Sequence, residues 1–345
     1  MITVIENAEN PGSIRRAGEI LKRGGLVAFP TETVYGLGAN ALDAEAAARI
    51  YAAKGRPSDN PLIVHIARME DLSAVARNIS HKAVLLAERF WPGPLTMIFE
   101  KTARVPYGTT GGLDTVAVRM PKDKVALAVI EAGGGFIAAP SANTSGRPSP
   151  TTAEHVAQDM NGRIDMILDG GPAGIGLEST IVDMSGEIPT ILRPGYISRE
   201  MLRETVGQVE VDQALIREDS GIRPKAPGMK YRHYAPKAEL KIVEGSPEAV
   251  VRAINRYIEE GEKTGQKIGV IAGEESAGLY KGGLVKTIGK RADELSIARH
   301  LYGVLREFDE LRVDRIYSEA CETPQMGAAI MNRLVKAAGH QIIKV

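Results

Sequence analysis

Short apolar runs that alternate with helical patterns are the feature that most constrains how this 345-residue chain folds. In residues 1–205 these runs span three to five residues, which is typical of strands in a sheet covered by helices. The predicted strands are Leu26–Phe29, Leu62–Ile66, Leu95–Phe99, Val116–Val118, Phe136–Ala138, Met166–Leu168, Thr180–Val182 and Thr190–Leu192. The predicted helices include Asp43–Ala53, Lys82–Phe90 and Thr152–Met160. The sequence therefore predicts an α/β domain with a large twisted sheet. Ser179–Met184 and Pro189–Leu192 are close enough to form a hairpin, so we expect that sheet to be mixed.

A second strand and helix alternation occupies residues 238–345. Its predicted strands are Leu240–Val243, Ile268–Ala272, Leu284–Ile288 and Val313–Tyr317, and its predicted helices are Pro247–Glu260, Asp293–Leu311 and Gln325–Ala338. This order predicts a smaller Rossmann-like α/β domain with a parallel sheet. It contains neither G-x-G-x-x-G after its first strand nor a P-loop, so it carries no nucleotide-binding signature of its own.

Residues 206–237 are predicted to link the two domains, which span 1–205 and 238–345. Gly221–Ala238 holds five cations and three prolines and no acidic residue. Such a segment is either a solvated basic tether or a connection that contacts an anionic ligand.

The composition excludes several classes of protein. Lysine and arginine number 43, as do aspartate and glutamate, so the zero net charge argues against nucleic acid or a membrane as a bulk partner, although a local basic cleft is compatible with it. A lone cysteine, Cys321, rules out an internal disulfide framework and is predicted to be buried or half-buried. The chain begins without a leader pattern, and no run approaches the roughly 20 apolar residues of a membrane span, so we expect a cytoplasmic protein.

A polar loop, Ala139–Thr151, follows the predicted strand Phe136–Ala138. It contains several hydroxyls, one amide, Gly146 and Arg147. Hydroxyls and amides form directed hydrogen bonds, and a planar guanidinium suits phosphate oxygens. The loop is suited to a phosphorylated ligand, while an ordinary Pro/Ser/Gly turn would have the same composition.

A second polar segment, Lys54–Pro61, follows the helix for which Asp43 is the predicted N-cap. Its two cations, Lys54 and Arg56, either complement the dipole of that helix or bind a ligand. The dipole does not explain Ser58 and Asn60.

A third polar segment, Thr31–Asn40, follows the first predicted strand. Open α/β sheets bind ligands just past strand ends. We therefore expect the three segments to contribute to one site.

Four motifs in fixed order carry a resemblance to a known family. They read PTETVYGLG, KGRPSDNPLIVHI, WPGPLT and APSANTSGRPSPT. In this order they resemble the YrdC-like family over roughly residues 4–199, and the continuation through MKYRHYAP resembles its longer, two-domain threonylcarbamoyl-AMP synthases.

The resemblance implies an enzyme, a nucleotidyltransferase that joins L-threonine, bicarbonate and ATP into threonylcarbamoyl-AMP and releases pyrophosphate. It implies Mg²⁺ bound with ATP, and a tRNA-modifying transferase as the partner that receives the adenylate. Weak binding of tRNA is compatible with it, and membrane binding is not expected. The reaction needs no side-chain nucleophile, because positioning and charge stabilisation are the main contributions in transfers at phosphorus.

The resemblance also assigns residues. The predicted catalytic residues are Lys54 and Arg56. The predicted ATP-binding residues are Arg56, Asn60, Thr115, Ser141, Asn143, Arg147, Ser149, Arg193, Lys230, Tyr231 and Arg232. The predicted threonine-binding residues are Thr33, His65, Arg119, Ala139 and Ser179. No metal ligand is assigned, and Glu32, Asp59 and Glu178 are loose candidates only. Trp91-Pro92-Gly93-Pro94 is predicted to be structural.

Other interpretations remain open for single residues and for the chain. His65 would be a satisfied core histidine, and Arg119 a surface cation at a strand end, if no ligand bound there. A non-catalytic RNA-binding module would fit a cationic cleft but not the zero net charge. A carbamoyltransferase of the hydrogenase-maturation kind would need a cysteine-rich zinc segment, which one cysteine cannot supply.

Overall fold

The computed structural model describes residues 2–212, 233–321 and 323–345. These residues form two compact units. The second unit takes in residues 146–148 and 175–177 as well as the described residues from 233 onward, and the first holds the rest. The predicted linker, 206–237, lies mostly outside the described residues, so its bounds stay a prediction.

The first unit contains a large mixed sheet, as predicted. Its strands are β1 Val4–Asn7, β2 Val27–Phe29, β3 Gly36–Asn40, β4 Ile63–His65, β5 Ala76–Arg77, β6 Leu95–Lys101, β7 Thr115–Arg119, β8 Ile137–Ala138, β9 Met166–Asp169, β10 Thr180–Asp183, β11 Thr190–Arg193 and β12 Glu210–Val211. In the described part of the chain they are ordered β1-β9-β2-β3-β8-β4-β7-β6-β10-β11-β12, with β5 beside β6. The predicted hairpin is present, because β10 and β11 pair antiparallel.

The helices of this unit are α1 Pro11–Lys22, α2 Ala44–Lys54, α3 Leu72–Val75, α4 His81–Phe90, α5 Lys124–Ala132, α6 Ala153–Met160 and α7 Arg199–Val206. In the described part of this unit, every α-helix except the short α3 begins directly after a residue whose side chain caps it. The predicted N-cap Asp43 accepts hydrogen bonds from the backbone of Glu45 and Ala46. α2 ends at Gly55, whose φ of 61° is the left-handed conformation that glycine adopts without strain.

Alternation along the strands assigns side chains to two faces of the sheet. On β4 and β7, Val64 and Val118 belong to the main core together with residues of α2, α4, α6 and α7. Their neighbours Ile63 and Ala117 lie on the opposite face, where they form a small apolar cluster with Ile98, Ile181 and Leu192. On β4, β7, β6, β10 and β11 the second face carries this short apolar strip, next to which polar side chains of the same strands can gather, whereas on β8, β2 and β9 the same face packs against α1 and α5.

The second unit is an all-parallel sheet with helices, as predicted. Its strands are β13 Glu239–Glu244, β14 Ile268–Ala272, β15 Leu284–Thr287, β16 Arg315–Glu319 and β17 Ile342–Lys344, and its helices are α8 Pro247–Lys263, α9 Glu294–Leu311 and α10 Gly327–Ala337. The strand order is β15-β14-β16-β13-β17, and every pair is parallel. Cys321 is buried, as predicted, and burial raises the pKa of its thiol to about 11.

The structure modifies one further sequence prediction and confirms another. Part of the polar segment Thr31–Asn40 is a strand, β3, in which Gly38 is required because a Cβ there would lie 2.7 Å from Cε1 of Phe29. Trp91 is structural, as predicted: it is buried and its indole N–H donates to the carbonyl of Leu95 at 2.7 Å.

Within the described ranges, no helix combines the length and apolar character that crossing a bilayer requires.

Candidate active site

A row of polar side chains lies beside the apolar strip of the second face of the sheet, on neighbouring strands. Pairing sets His65 on β4 level with Arg119 on β7, and Arg119 level with Thr96 on β6. Ser179, just before β10, and Arg193, at the end of β11, extend the row. All five are buried, at 4% exposure or less. Buried polar groups need partners, so this row is either a closed network or a binding surface.

Arg119 is held from three directions. Its Nε donates to the carbonyl of Gly93 at 3.3 Å, one terminal nitrogen donates to Thr33 Oγ1 at 2.9 Å, and the other donates to Glu32 Oε1 at 2.6 Å. The loop that presents Thr33 is itself fixed, because Thr31 Oγ1 lies 2.8 Å from Thr33 Oγ1 and donates to the carbonyl of Val34 at 2.6 Å. Arg119 is thus not a surface cation, and its guanidinium is oriented before any ligand arrives.

Ser179 joins Arg193, at one end of the row, to Thr96. Its hydroxyl lies 2.7 Å from Thr96 Oγ1 and accepts from a terminal nitrogen of Arg193 at 3.2 Å, while Arg193 Nε donates to the carbonyl of Ser179 at 3.1 Å. One residue thus contacts both the predicted threonine side, through Thr96 beside Arg119, and the predicted nucleotide side, through Arg193.

His65 is held neutral by its surroundings. Burial, and after it the charge of Arg119, lower the pKa of His65 to about 3. Its Nδ1 lies 3.2 Å from the carbonyl of Ile63, which is a short contact available to the N–H of one neutral tautomer. At neutral pH the ring therefore adds no charge beside Arg119.

The buried imidazole predicts acid sensitivity of the fold. The pKa of about 3 for His65 in the folded protein lies below the ordinary histidine value of 6.5, so the unfolded chain binds the extra proton between these pH values. The stability of the fold therefore decreases as the pH falls through this window. Lowering the pH from 7 to 5 should cost about 2 kcal/mol of unfolding free energy through this one group. Chemical denaturation of wild type and His65→Asn across this range measures the difference, with His81→Asn at the exposed start of α4 as control. A pH profile of His65→Asn parallel to that of wild type would contradict this assignment.

Lys54 joins two of the predicted polar loops. It is 1% exposed, and its ammonium donates to the carbonyls of Ser141 and Asn143. The N–H of Ser145 returns a hydrogen bond to the carbonyl of Lys54 at 2.8 Å. Lys54 is therefore not a solvated cation at a helix end. It fixes the 141–145 loop against the end of α2, with Ser141 Oγ donating to Asn143 Oδ1 at 2.5 Å.

Arg56 is buried against its own loop. Its guanidinium donates to Asn60 Oδ1 at 2.6 Å and to the carbonyl of Pro61 at 3.1 Å. The carbonyl of Asn60 also accepts from Tyr51 at 3.2 Å. Burial raises the pKa of the Tyr51 phenol to about 12, so that group stays a neutral donor.

Three further predicted residues of the first unit, Ser149, Ala139 and Thr115, lie on or next to strands of the same sheet. Ser149, fully buried, donates from Oγ to Glu178 Oε1, and Glu178 directly precedes Ser179. The N–H of Ala139 donates to the carbonyl of Ile63 at 2.9 Å, which ties the polar loop to β4. Thr115 begins β7, the strand that Arg119 ends.

Strand register sets two predicted nucleotide residues apart from two predicted threonine residues. β4 and β7 run parallel, with Ile63 level with Ala117 and His65 level with Arg119. Continued two residues back from the Ile63 pair, this register would bring Pro61, beside Asn60, level with Thr115. Asn60 and Thr115 then lie toward the start of the two strands, and His65 and Arg119 lie at their end, about 13 Å away at ~3.3 Å per residue. Arg193, a predicted nucleotide residue, lies at the Arg119 end through its hydrogen bonds to Ser179.

For four predicted residues, a role in this site stays a prediction. Arg147 belongs to the second unit, where its guanidinium lies 3.4 Å from Asp309 Oδ2. Lys230, Tyr231 and Arg232 lie outside the described residues.

The sequence did not indicate one member of the row, Thr96, or the partner of another, Glu32. Thr96 lies in the otherwise apolar run Leu95–Phe99 of β6. Alternation along the strand places its hydroxyl on the same face as Ile98, and this was the feature of the sequence that could have indicated it. Glu32 was considered only as a loose metal candidate, whereas the structure pairs it with Arg119. Among the described residues, no group of three or more His, Cys, Asp or Glu side chains is arranged to hold a metal ion.

Comparisons with known proteins agree with this architecture. A family model described as "Telomere recombination" matches residues 19–195, and one described as "Threonylcarbamoyl-AMP synthase, C-terminal domain" matches residues 197–339. Proteins named threonylcarbamoyl-AMP synthase from Bacillus subtilis and Pyrococcus abyssi are 49% and 50% identical to this chain, over 98% and 100% of it and 96% and 99% of their own lengths.

A solved structure extends the likeness to three dimensions. Sua5 of P. abyssi complexed with L-threonine superposes with a TM-score of 0.93 at 49% identity, over 100% of this chain and 99% of that one. The paired α/β units, the polar row and the full-length sequence match lead to one conclusion: this chain belongs to the threonylcarbamoyl-AMP synthase family.

Proposed function

We propose that the protein joins L-threonine, bicarbonate and ATP into threonylcarbamoyl-AMP, with release of pyrophosphate and water. The observation that carries this proposal is the preoriented, buried Arg119 at one end of β7, with the Lys54-fixed loop and Arg56 toward the other end. Relatives that match the whole chain carry the name of this activity, and a solved relative is a complex with L-threonine.

At the amino-acid end, the guanidinium of Arg119 would bind the threonine carboxylate. A planar fork matches a carboxylate in geometry as well as in charge. Neutral His65 and the hydroxyls of Thr33 and Ser179 lie near Arg119. These groups can donate hydrogen bonds to the hydroxyl of threonine or accept them from it.

At the nucleotide end, the loops fixed by Lys54 and Arg56 would bind the triphosphate. Asn60, Thr115, Ser141, Asn143, Ser149 and Arg193 are the predicted contacts in the first unit. The threonine amine would take up the carbon of bicarbonate or carbon dioxide as a carbamate. A carbamate oxygen would then form a bond to the α-phosphorus as the bond from that phosphorus to pyrophosphate breaks. The chain's contribution is to position the reactants and to offset the negative charge that builds up on the phosphoryl oxygens.

Mg²⁺ would accompany ATP. The described residues offer no three-ligand acidic group, so the phosphate oxygens and water would supply most ligands, with single carboxylates such as Asp59 or Glu178 as the chain's contribution. This agrees with the usual reluctance of Mg²⁺ to lose its waters, and the ion would neutralise phosphate charge. The product is an activated mixed anhydride, so its consumer must be a group-transfer enzyme, and we assign this role to a tRNA-modifying transferase.

Pyrophosphate release tests the proposal directly. The protein should release pyrophosphate from ATP only when L-threonine and bicarbonate are both present. Omitting each component in turn, and replacing threonine with serine or valine, measures the dependence. Equal release without threonine would refute the proposed activity.

A further inference from the structure

Glu32 is a largely buried carboxylate in the candidate site to which the proposed chemistry assigns no task. Its side chain is 14% exposed, and only one of its oxygens, Oε1, receives a hydrogen bond, at 2.6 Å from Arg119. The other, Oε2, is buried and meets no donor among the described residues. An ionised carboxylate has about four acceptor sites, and a buried acceptor without a donor is costly. A ligand that brings a donor to Oε2 would remove that cost.

The charges around Arg119 indicate which donor fits. Arg119 and Glu32 form a buried pair of opposite charge beside a neutral histidine. A ligand carboxylate on Arg119 alone would leave two anions around one cation. A zwitterionic ligand balances these charges. Its ammonium group lies one carbon from its carboxylate, so a carboxylate bound to Arg119 brings the ammonium close to Glu32.

We infer that Glu32 Oε2 accepts a hydrogen bond from the amino group of the substrate, so that Glu32 selects α-amino acids over carboxylic acids that lack the amine. The inference rests on the proposed function and deepens it. The contact does not require Glu32 to take a proton. A carbamate nitrogen retains one N–H, so the same hydrogen bond holds the nitrogen before and after the carbon is added. Glu32 is then a residue that sets specificity and positions the amine.

Isothermal titration calorimetry of full-length protein with two ligands tests this inference. L-Threonine carries the amine, and 3-hydroxybutanoate is the same chain without it. In Glu32→Gln the amide oxygen can remain on Arg119, which leaves an NH₂ donor at the position of Oε2, facing the ligand ammonium. We expect Glu32→Gln to weaken threonine binding by about 10- to 100-fold, the range for a hydrogen bond to a charged group, and to change 3-hydroxybutanoate binding less than about 3-fold.

Matched variants separate this role from a structural one. Glu131→Gln removes an exposed glutamate that is paired with Arg68 at 3.3 Å and should leave both affinities unchanged. Glu32→Asp keeps the charge but withdraws it by one methylene, and should weaken threonine selectively even if the glutamine variant fails to fold. Circular dichroism confirms the fold of each.

Three outcomes would overturn the inference while threonine still binds wild type. An equal loss for both ligands in Glu32→Gln would mean that Glu32 only holds Arg119 in place. A gain for both would mean that Glu32 competes with the ligand carboxylate, and unchanged affinities would mean that it contacts neither. If wild-type protein does not bind threonine, the proposed function fails first and the inference fails with it.

Discussion

Arg119→Ala should abolish measurable threonine binding and lower the unfolding free energy by about 3–5 kcal/mol, the usual cost of removing one partner from a buried ion pair. The variant would leave the Glu32 carboxylate without its cation at a site where only 14% of that side chain is exposed. Arg119→Lys should retain part of the stability but bind threonine weakly, because an ammonium is a point charge and cannot form two parallel hydrogen bonds with a carboxylate. ATP binding should change little in the lysine variant.

Urea denaturation and separate titrations of the two substrates give the required numbers. Arg77→Ala is the control, since Arg77 forms an exposed pair with Glu100 at 3.2 Å and such pairs contribute about 0–1 kcal/mol. The double variant Arg119→Ala with Glu32→Ala should recover part of the lost stability, because the orphaned charge is gone. A stability loss in Arg119→Ala as small as that in Arg77→Ala would show that the pair is not effectively buried. An equal loss of ATP affinity in Arg119→Lys would move Arg119 to the nucleotide side.

Lys54→Ala should eliminate turnover and also destabilise the first unit. The ammonium is the donor to two loop carbonyls, those of Ser141 and Asn143, and buried carbonyls that lose a donor cost about 1–3 kcal/mol each. The same substitution releases the loop that would bind the triphosphate, so the loss of turnover should exceed what the loss of stability alone would cause.

Lys22→Ala provides a matched comparison. Lys22 is also the last residue of its helix, α1, but it is exposed, so removing it should cost only the roughly 0.3–1 kcal/mol of a helix-end cation. Lys54→Met retains the aliphatic stem and separates packing from charge. Thermal melting and pyrophosphate release of the three variants distinguish a lysine that fixes the 141–145 loop from a simple helix-end cation. Equal melting temperatures and normal turnover in Lys54→Ala would restore the interpretation of Lys54 as a simple helix-end charge.

The central strands were predictable because burial on both faces makes them continuously apolar. β14 matches its predicted bounds, and β2 and β7 differ from theirs by one or two residues. β1 was missed because it is an exposed edge strand with Ile5 53% exposed, which gives no sustained apolar run. The helix α5 was missed because Val125–Ile130 is apolar on nearly all sides, and an apolar run of this kind does not distinguish a helix from a buried strand.

The candidate site was predictable in its residue types but not in its pairings. Lys54, Arg119 and Ser179 belong to motifs whose chemistry can be read locally, and their roles as substrate contacts remain predictions. The hydrogen bond from Lys54 to Ser141 joins positions 87 residues apart, and so does the bond from Arg119 to Glu32. Contacts at such separations depend on sheet order, and the order that sets β8 between β3 and β4 cannot be derived from the sequence of strands alone.

On the proposed function, the length of β7 would help to set which products the site can form. Thr115 and Arg119 are joined by a continuous hydrogen-bonded strand, so the backbone positions at the two ends of the strand keep a fixed spacing. On the proposed function, a carboxylate bound at one end and a nucleotide at the other leave a gap that only a chain of matching length can bridge. A β-amino acid has one more carbon between carboxylate and amine, so its carbamate oxygen would pass the α-phosphorus and lose alignment with the departing pyrophosphate. The fixed spacing along one strand would thereby disfavour β-amino acids, in addition to the side chains that would recognise threonine.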